Sequence, residues 1–335
     1  MQGKAFDRID HAILIKKLLD RNAPLCFVKI IENRYSRLYA VVRWNECLSK
    51  AFSINSGVRQ GSMLSPVLFN VYVNDMIERL ESQGVGCHIG KSFLGCVMYA
   101  DDILLLSPSV AGLQLMLNIC YVFSVENMML FNAKKSTCIK VGGNWNKNVL
   151  DMEIGDMKIT WSSQFKYLGV SFLARNKLQI DCLPVKRKFY TALNCISGRF
   201  KTAAENVKIY LVKAYCLPLL MYSIGALDLC TSLVSALGVC WNDAFRKIFG
   251  MNRWESVKLL QFYCDELPFN YLYDLHRWNF LYNASCSGNL LSMIVNVSDS
   301  VDHYSRCYRD FGMSSAMRSL SVKYKFKDSC LQLVS

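Results

Sequence analysis

Closely spaced pairs of cysteines are missing from this sequence, and histidines are few. It contains fifteen cysteines but no C-x-x-C spacing, and only four histidines. Zinc sites and disulfide frameworks depend on such spacings, so the pattern argues against both. It indicates reduced, mostly buried thiols in an intracellular protein of the cytoplasm or nucleus.

An apolar leader is also missing. The first eight residues contain no hydrophobic run, so we expect no secretory signal. One later stretch, residues 214–241, has no Lys or Arg and a single acid, Asp228. Pro218 and Asp228 interrupt it before it is long enough to cross a bilayer comfortably. We therefore predict a buried helical hairpin and no membrane partner.

Acidic residues are fewer than basic ones. The chain has 39 Lys+Arg and 26 Asp+Glu, a formal net charge of +13, which favours a polyanionic partner. With 335 residues, of which 52% are hydrophobic, the chain can bury a real core and hold two domains.

Two adjacent acids stand at a predicted hairpin turn. The sequence Tyr99-Ala100-Asp101-Asp102 lies between two apolar segments, 93–98 and 103–106, a pattern typical of two buried strands. Carboxylate oxygens bind hard divalent cations, so Asp101 and Asp102 are candidate metal ligands. The alternative is that the acids only mark a turn.

A second candidate site lies in the segment 56–66. Its two glycines, Gly57 and Gly61, enclose a basic and an amide side chain and permit close approach of the backbone to a ligand. Ser65 is predicted to cap the next helix, with Pro66 at its first position. The free N–H groups of that helix would suit an anion such as phosphate. The alternative is an ordinary loop and cap.

Helices and strands alternate in the first part of the chain. Asp10 and Pro24 are predicted to start two helices, and strands are predicted at 137–141 and 165–172. The glycine at position 250 is a natural helix C-cap. Up to about residue 174 the pattern is therefore α+β.

Basic helices follow. Residues 175–213 hold nine Lys or Arg and two acids, a local net charge of +7 (9 − 2), which suits phosphate contacts along a nucleic acid. Solvated helix faces carry lysine just as often. We divide the chain into 1–174, a helical domain 175–290 and a weakly patterned tail 291–335. The candidate nucleic-acid-binding residues are Lys186, Arg187 and Lys188 and, on one further helix, Lys201 and Lys208.

Five segments, in order, resemble the successive motifs of reverse transcriptases. The long Gly57-to-Pro66 match is specific, whereas the Asp-Asp signature alone is weak. Their order and spacing resemble non-LTR, LINE-type retrotransposon enzymes over residues 1–250. The segments are Lys4-Ala5-Phe6-Asp7, residues 56–66, Tyr99-Ala100-Asp101-Asp102, Asn132-x-x-Lys135-Ser136 and Phe165-x-Tyr167-Leu168-Gly169-Val170.

The resemblance implies a right-hand polymerase fold, with an antiparallel palm sheet and helices, little of the fingers, and an all-α thumb. It implies an RNA template, a DNA primer and deoxynucleotide triphosphates as partners, and Mg²⁺, with Mn²⁺ as the alternative, as cofactor. It also implies roles for single residues. Asp101 and Asp102 would be catalytic and bind the metal, and Lys135 would be a catalytic proton donor. The nucleotide and template pocket would contain Phe6, Arg59, Gln60 and Gly61, and the primer grip would contain Tyr167, Leu168 and Gly169.

The first motif departs from the family pattern. The family has Asp-x-x-Lys-Ala-Phe-Asp, whose leading Asp supplies a third metal-binding carboxylate, whereas this sequence has Met1 there. Methionine offers no hard oxygen ligand, and Asp7 lies about 20 Å further along an extended chain. We therefore expect an N-terminally truncated reverse transcriptase fragment with little or no polymerase activity. The alternatives are a non-catalytic nucleic-acid-binding module derived from such an enzyme and a helical structural or membrane-associated protein in which Asp101 and Asp102 only form a turn.

Overall fold

The protein divides into two compact units. The computed structural model describes residues 5–143 and 149–287. The first unit extends from Met1 to Gln179 and the second from Ile180 to Ser335. Met1 and the tail assigned from the sequence to residues 291–335 lie outside the described residues.

Four α-helices lie in the described part of the first unit, after a 3-10 turn at Ala5–Arg8. Asp10 starts the first helix, because its carboxylate accepts a hydrogen bond from the N–H of Ile13 at 2.9 Å, and Pro24 directly precedes the second. Both starts were predicted. The helices are α1 (His11–Asp20), α2 (Leu25–Ser36), α3 (Ser65–Ser82) and α4 (Val110–Glu126).

One hydrophobic core joins these four helices. Its fully buried side chains include Tyr72, Phe69 and Met76 of α3, with Leu14 of α1 and Phe123 of α4. Burying one large apolar side chain stabilises a fold by about 1.5–3 kcal/mol. Helix α3 supplies more of these buried side chains than any other helix of the unit, so its start is anchored to the core.

An ion pair lies at the edge of this core. Lys17 of α1 is only 8% exposed, and its Nζ donates to Asp75 Oδ2 at 2.7 Å and to the carbonyl of Tyr72 at 2.8 Å. Arg21 donates to the other carboxylate oxygen of Asp75 at 3.0 Å. Burial alone would raise the pKa of Asp75, but the hydrogen bonds and charges of Lys17 and Arg21 outweigh burial and lower it. The pair fastens α1 to α3.

Short antiparallel strand pairs lie between the helices. In the described residues each pair lies in a separate sheet, and a last short strand, β13 (Gln179–Ile180), is the third strand of the sheet of β11 and β12. Helices with small antiparallel sheets are consistent with the predicted α+β class. The pairs are β1 (Tyr39–Ala40) with β4 (Phe52–Ser53), β2 (Arg43–Trp44) with β3 (Cys47–Leu48), β5 (His88–Ile89) with β6 (Ser92–Phe93), β7 (Cys96–Tyr99) with β8 (Asp102–Leu105), β9 (Met152–Ile154) with β10 (Met157–Ile159), and β11 (Gln164–Tyr167) with β12 (Val170–Leu173).

Two predicted strands were wrong in detail. Residues 137–141 form only one bridge, between Cys138 and Trp161, and directly after it the N–H of Gln164 donates to Ser162 Oγ rather than to a second strand. The segment 165–172 is a hairpin rather than one strand. Its two turn residues both have positive φ, which reverses the chain.

Six α-helices form the described part of the second unit. Their core is apolar and aromatic, with Phe189, Trp241 and Phe245 almost wholly buried. Gly250 ends its fourth helix with φ +65°, as predicted for a C-cap. The helices are α5 (Leu183–Arg199), α6 (Glu205–Tyr215), α7 (Leu217–Met221), α8 (Thr231–Phe249), α9 (Lys258–Tyr263) and α10 (Phe269–Cys286).

One stretch of this unit, residues 205–226, is long and apolar enough to span a membrane by length and composition. It consists of three pieces: α6, α7 and a 3-10 turn preceded by Ser223 with φ +53°. Residues spaced four apart along it are buried in the core of the unit, which is how a core segment of a helical domain packs. They are Val212, Cys216, Leu220 and Ile224.

Every cysteine in the described part of the chain is a free thiol, but only five of these thirteen cysteines are buried, so the expectation of mostly buried thiols was wrong. Burial raises the pKa of Cys96 and of Cys120 to about 12. These two thiols are therefore protonated at neutral pH and act as apolar packing groups.

The Lys17–Asp75 pair generates a stability prediction. Replacing Asp75 by Asn leaves Lys17 buried without a counter-charge, so we expect a loss of about 2 kcal/mol at neutral pH, measured by urea unfolding. Because the pKa of Asp75 is lowered in the fold, this stabilisation is present above the usual aspartate pKa and is lost as the pH falls through the folded value.

The control is Glu126→Gln, which removes the exposed ion pair with Arg79. We expect this variant to lose less than about 1 kcal/mol. Equal losses in the two variants, or an Asp75→Asn loss that persists unchanged in acid, would contradict the assignment.

Candidate functional site

Two backbone segments distant in sequence meet at the start of the first unit. The N–H of Val58 donates to the carbonyl of Phe6 at 2.7 Å, and the N–H of Gly57 donates to the carbonyl of Ile9 at 2.8 Å. A Cβ at position 57 would lie only 2.7 Å from the Cα of Asp7. We call this junction of residues 6–9 with residues 56–58 the clasp. Only glycine permits so close an approach.

Side chains on both segments reinforce the clasp. The amide nitrogen of Gln60 donates to Asp7 Oδ1 at 2.9 Å, and Ser56 Oγ donates to the carbonyl of Asp7 at 3.2 Å. The ring of Phe6 stacks on Phe69 of α3 with 4.7 Å between ring centroids. The structure therefore brings together the predicted pocket residues Phe6 and Gln60.

The loop between the clasp and α3 is open to solvent. Arg59, Gln60 and Gly61 are exposed, and Gly61 has φ +80° with nothing within 4 Å of an added Cβ. The predicted cap is wrong, because Ser65 is buried and its Oγ donates to the carbonyl of Arg59 at 2.6 Å. Leu64 precedes the helix instead, without a side-chain cap. Ser65 closes the loop and leaves the N–H groups of α3 uncapped by a side chain.

The two acids lie at a hairpin turn, as predicted. Tyr99 pairs with Asp102 across β7 and β8, so Ala100 and Asp101 form a two-residue turn. Ala100 has φ +51°, a left-handed conformation that costs an L-residue about 1–2 kcal/mol. The arms are half-buried rather than buried: Cys96, Met98, Ile103 and Leu105 pack on the main core, and Val97 and Leu104 lie on the opposite face.

A second hairpin lies beside the acids. Leu168 and Gly169, with φ +45° and +84°, form the turn between β11 and β12. Burial first, and then the negative charge of Asp102, raises the pKa of Tyr167 at the end of β11. The hydroxyl of Tyr167 is buried and makes no hydrogen bond with the described residues. The structure thus places Tyr167 within electrostatic reach of Asp102.

The predicted basic residues are placed separately. Lys135 is exposed at the end of a 3-10 turn, Ala133–Lys135. In the second unit, Arg187 and Lys188 are exposed on α5 and Lys186 is half-buried on the same helix. The assignment of Lys201 to the helix of Lys208 was wrong: Lys201 lies in the turn before α6, where its carbonyl accepts a hydrogen bond from Lys208 Nζ.

Two contacts of the clasp escaped sequence reasoning. The pairing of Asp7 with Gln60, and the 2.8 Å contact between His11 Nε2 and the carbonyl of Gly57, join residues about fifty positions apart. The only sequence signal for the Asp7 contact was that Asp7 ends the first of the five reverse transcriptase motifs. A pairing over that distance has no local pattern, so it becomes visible only in the fold.

The side chains of the candidate site can be compared with what a metal ion requires. In the part of the chain that the structure describes, no group of three or more His, Cys, Asp or Glu is placed to hold an ion. Asp101 and Asp102 are adjacent and accessible at their turn. Mg²⁺ commonly binds through one or two carboxylates together with water and substrate phosphates, and the two acids fit that arrangement.

Comparison with known proteins decides which family these features belong to. A model of the family described as reverse transcriptase (RNA-dependent DNA polymerase) matches residues 2–172, about half of the chain. The chain belongs to the reverse transcriptase family. The matched residues of this reverse transcriptase domain include the clasp, the loop before α3 and the hairpin with the two acids.

Curated relatives place the domain among non-LTR retrotransposon proteins. The chain is 28% identical over 187 residues to a Pol polyprotein from retrotransposable element R2DM of Drosophila melanogaster, covering 53% of this chain and 18% of the relative. It is 26% identical over 232 residues to the RNA-directed DNA polymerase from mobile element jockey of Drosophila funebris, covering 66% and 24%. The chain thus spans less than a quarter of either protein.

A third relative reaches further along the chain. An R2 Pol polyprotein of Popillia japonica is 24% identical over 263 residues, which covers 74% of this chain and 41% of the relative. Because 74% of the chain is longer than the first unit, this similarity extends into the second unit.

The close approach at Gly57 generates a prediction. We expect Gly57→Ala to lose at least about 2 kcal/mol of stability in urea unfolding, because the added Cβ meets the backbone of Asp7 at a φ of +92°. Gly61→Ala is the matched control. It has a similarly unfavourable φ but open space around the added atom, so we expect a loss of about 1 kcal/mol. Equal losses would rule out the close approach.

Proposed function

We propose that this chain is the palm and thumb part of an RNA-directed DNA polymerase of a non-LTR retrotransposon. Residues 1–174 would form the palm with residual fingers elements, and residues 175–290 the thumb. The observation that carries the proposal is the turn with Asp101 and Asp102, whose arms pack on the same core as Phe6 of the clasp. The curated relatives are much longer than this chain, so the proposal covers only this part of such an enzyme.

In this proposal Asp101 and Asp102 hold a divalent cation, Mg²⁺ or Mn²⁺. When bound, the cation would lower the pKa of the attacking hydroxyl and neutralise charge on the departing phosphates. The positive φ of Ala100 turns the chain sharply, so both carboxylates stand at the end of the hairpin, where water and a triphosphate can complete the coordination.

The loop between the clasp and α3 is the proposed nucleotide and template pocket. Arg59 is exposed beside Gly61, where the absence of a side chain leaves room for a ligand to approach the backbone. Gln60 is oriented by Asp7, and Phe6 is fixed by its stacking on Phe69. Lys135, exposed on its 3-10 turn, is the proposed proton donor to pyrophosphate.

The hairpin of β11 and β12 is the proposed primer grip. Tyr167, Leu168 and Gly169 form its end, and the charge of Asp102 acts on Tyr167, so a primer terminus held there would lie near the acids. The template–primer duplex would be bound by the second unit through phosphate contacts. The proposed contacts are Lys186, Arg187, Lys188, Lys201 and Lys208, in an intracellular, cytoplasmic or nuclear setting.

A non-catalytic module that binds nucleic acid is the second candidate. It is favoured by Met1, which stands where the resemblance gives the third metal-binding carboxylate and offers no hard oxygen. Two carboxylates bind a cation more weakly than three. The chain on its own would then bind template and primer and incorporate little or no nucleotide.

Metal binding tests the role of the acids. We expect Asp102→Asn to weaken Mn²⁺ binding about tenfold in the presence of a deoxynucleotide triphosphate, because one charged ligand is lost. Electron paramagnetic resonance titration of free Mn²⁺ measures this. Asp156→Asn is the matched control, since Asp156 lies in the two-residue turn between β9 and β10. An Mn²⁺ affinity lowered equally by both substitutions would refute the assigned site.

Primer extension separates the two candidates. With Mg²⁺ and an RNA template we expect no incorporation by this chain above that of Asp101→Ala, because the third carboxylate position is Met1. Binding to RNA–DNA duplex should persist and fall with rising salt. Incorporation that Asp101→Ala abolishes would establish a working polymerase and overturn the expected inactivity.

A further inference from the structure

A two-stranded ribbon, residues 39–53, is almost wholly exposed. It consists of the pairs β1–β4 and β2–β3, joined at the tip by a turn with Asn45 at φ +53°. Every residue from Val41 to Ser53 is exposed. Both faces of the ribbon are therefore left uncovered by the described part of the chain.

The ribbon carries large apolar side chains in spite of this exposure. Trp44 is 77% exposed and Leu48 and Tyr39 are 67% and 64% exposed. Trp44 and Leu48 lie on opposite faces of the ribbon, so each face exposes a large apolar side chain. Large exposed apolar patches mark binding sites in soluble proteins, and an isolated two-stranded hairpin is marginally stable by itself. The remaining exposed apolar residues of the ribbon are Val41, Val42 and Phe52.

The ribbon is held in one register. The N–H of Ser49 donates to the carbonyl of Val42, and Ser49 Oγ accepts from the N–H of Val42, both at 2.9 Å. Near the tip, Arg43 Nε donates to the carbonyl of Asn45 at 3.3 Å. These bonds fix the register of the ribbon around Arg43 and Trp44, whose side chains project from opposite faces near its tip, so little ordering of the backbone is needed when a ligand binds.

The charge of the ribbon selects its partner. Arg37, Arg43 and Lys50 lie in or beside it with a single acid, Glu46, a net charge of +2 (3 − 1) over residues 37–53. Exposed aromatic rings interleaved with basic side chains are the surface on which unpaired bases stack while phosphates are neutralised. We propose that the ribbon binds an unpaired nucleic-acid strand, with Trp44 stacking on a base and Arg43 and Lys50 contacting phosphates.

The base of the ribbon joins the candidate pocket. The N–H of Ile54, just after β4, donates to the carbonyl of Leu38 at 2.8 Å, and Ser56 belongs to the clasp two residues later. A strand bound along the ribbon is directed toward the loop with Arg59. The path of the strand toward this loop rests on the proposed function, in which the strand is unpaired template. The binding to the ribbon does not rest on it.

Fluorescence anisotropy with a short labelled single-stranded RNA, in EDTA and without nucleotide, tests the binding. We expect Trp44→Ala to weaken affinity about tenfold, because one stacking platform is lost. Arg43→Ala should make the slope of log affinity against log salt shallower by about 0.7. Affinity for a blunt duplex of the same sequence should change less than about twofold in Trp44→Ala, because paired bases cannot reach the ring.

The matched control is Trp254→Ala, which removes an equally exposed tryptophan, 83% exposed, from the second unit. Its affinity for single-stranded RNA should equal that of the unsubstituted chain. Equal weakening in both variants, or no weakening in Trp44→Ala, overturns the proposal. So does self-association of the chain that Trp44→Ala abolishes without changing RNA affinity. Without metal or nucleotide, these outcomes are independent of whether Asp101 and Asp102 bind a cation.

Discussion

The close contact between Gly57 and the backbone of Asp7 is the constraint on which the first unit depends. It brings residues 6–9 against residues 56–58, and two backbone hydrogen bonds hold them there. The loop with Arg59 and Gln60 starts directly from this contact and ends at α3, whose side chains fill the core. A displacement at Gly57 would therefore reach the loop, the stack of Phe6 on Phe69 and the start of α3 together.

The sequence correctly predicted helix ends that depend on residues close to them in the chain. Asp10 caps α1, Pro24 precedes α2 and Gly250 ends α8, because each acts within one helical turn. The hairpin with Asp101 and Asp102 follows likewise from two apolar arms around polar residues. The family resemblance, carried by ordered motifs, agrees with the family match over residues 2–172.

Three other details were not predictable in this way. Ser65 looks like a helix cap, yet its hydroxyl is drawn to the carbonyl of Arg59 because the loop curls back over the start of α3. Leu168 and Gly169 lie inside what looks like one strand, and only their backbone angles reveal a turn. Lys201 was placed on a helix that starts after it. In each case the outcome depends on the backbone, through an acceptor carbonyl, a backbone angle or the start of a helix, and the side-chain types do not indicate it.

The left-handed backbone at Ala100 has a consequence for how such a chain tolerates mutation. A β-branched or bulky residue there would add steric conflict to a conformation that already disfavours side chains, whereas the neighbouring arms accept many apolar replacements of similar volume. Under random substitution without selection, the geometry of the acidic turn would decay before the fold around it. A descendant could keep a well-packed reverse transcriptase domain long after the turn had lost its shape.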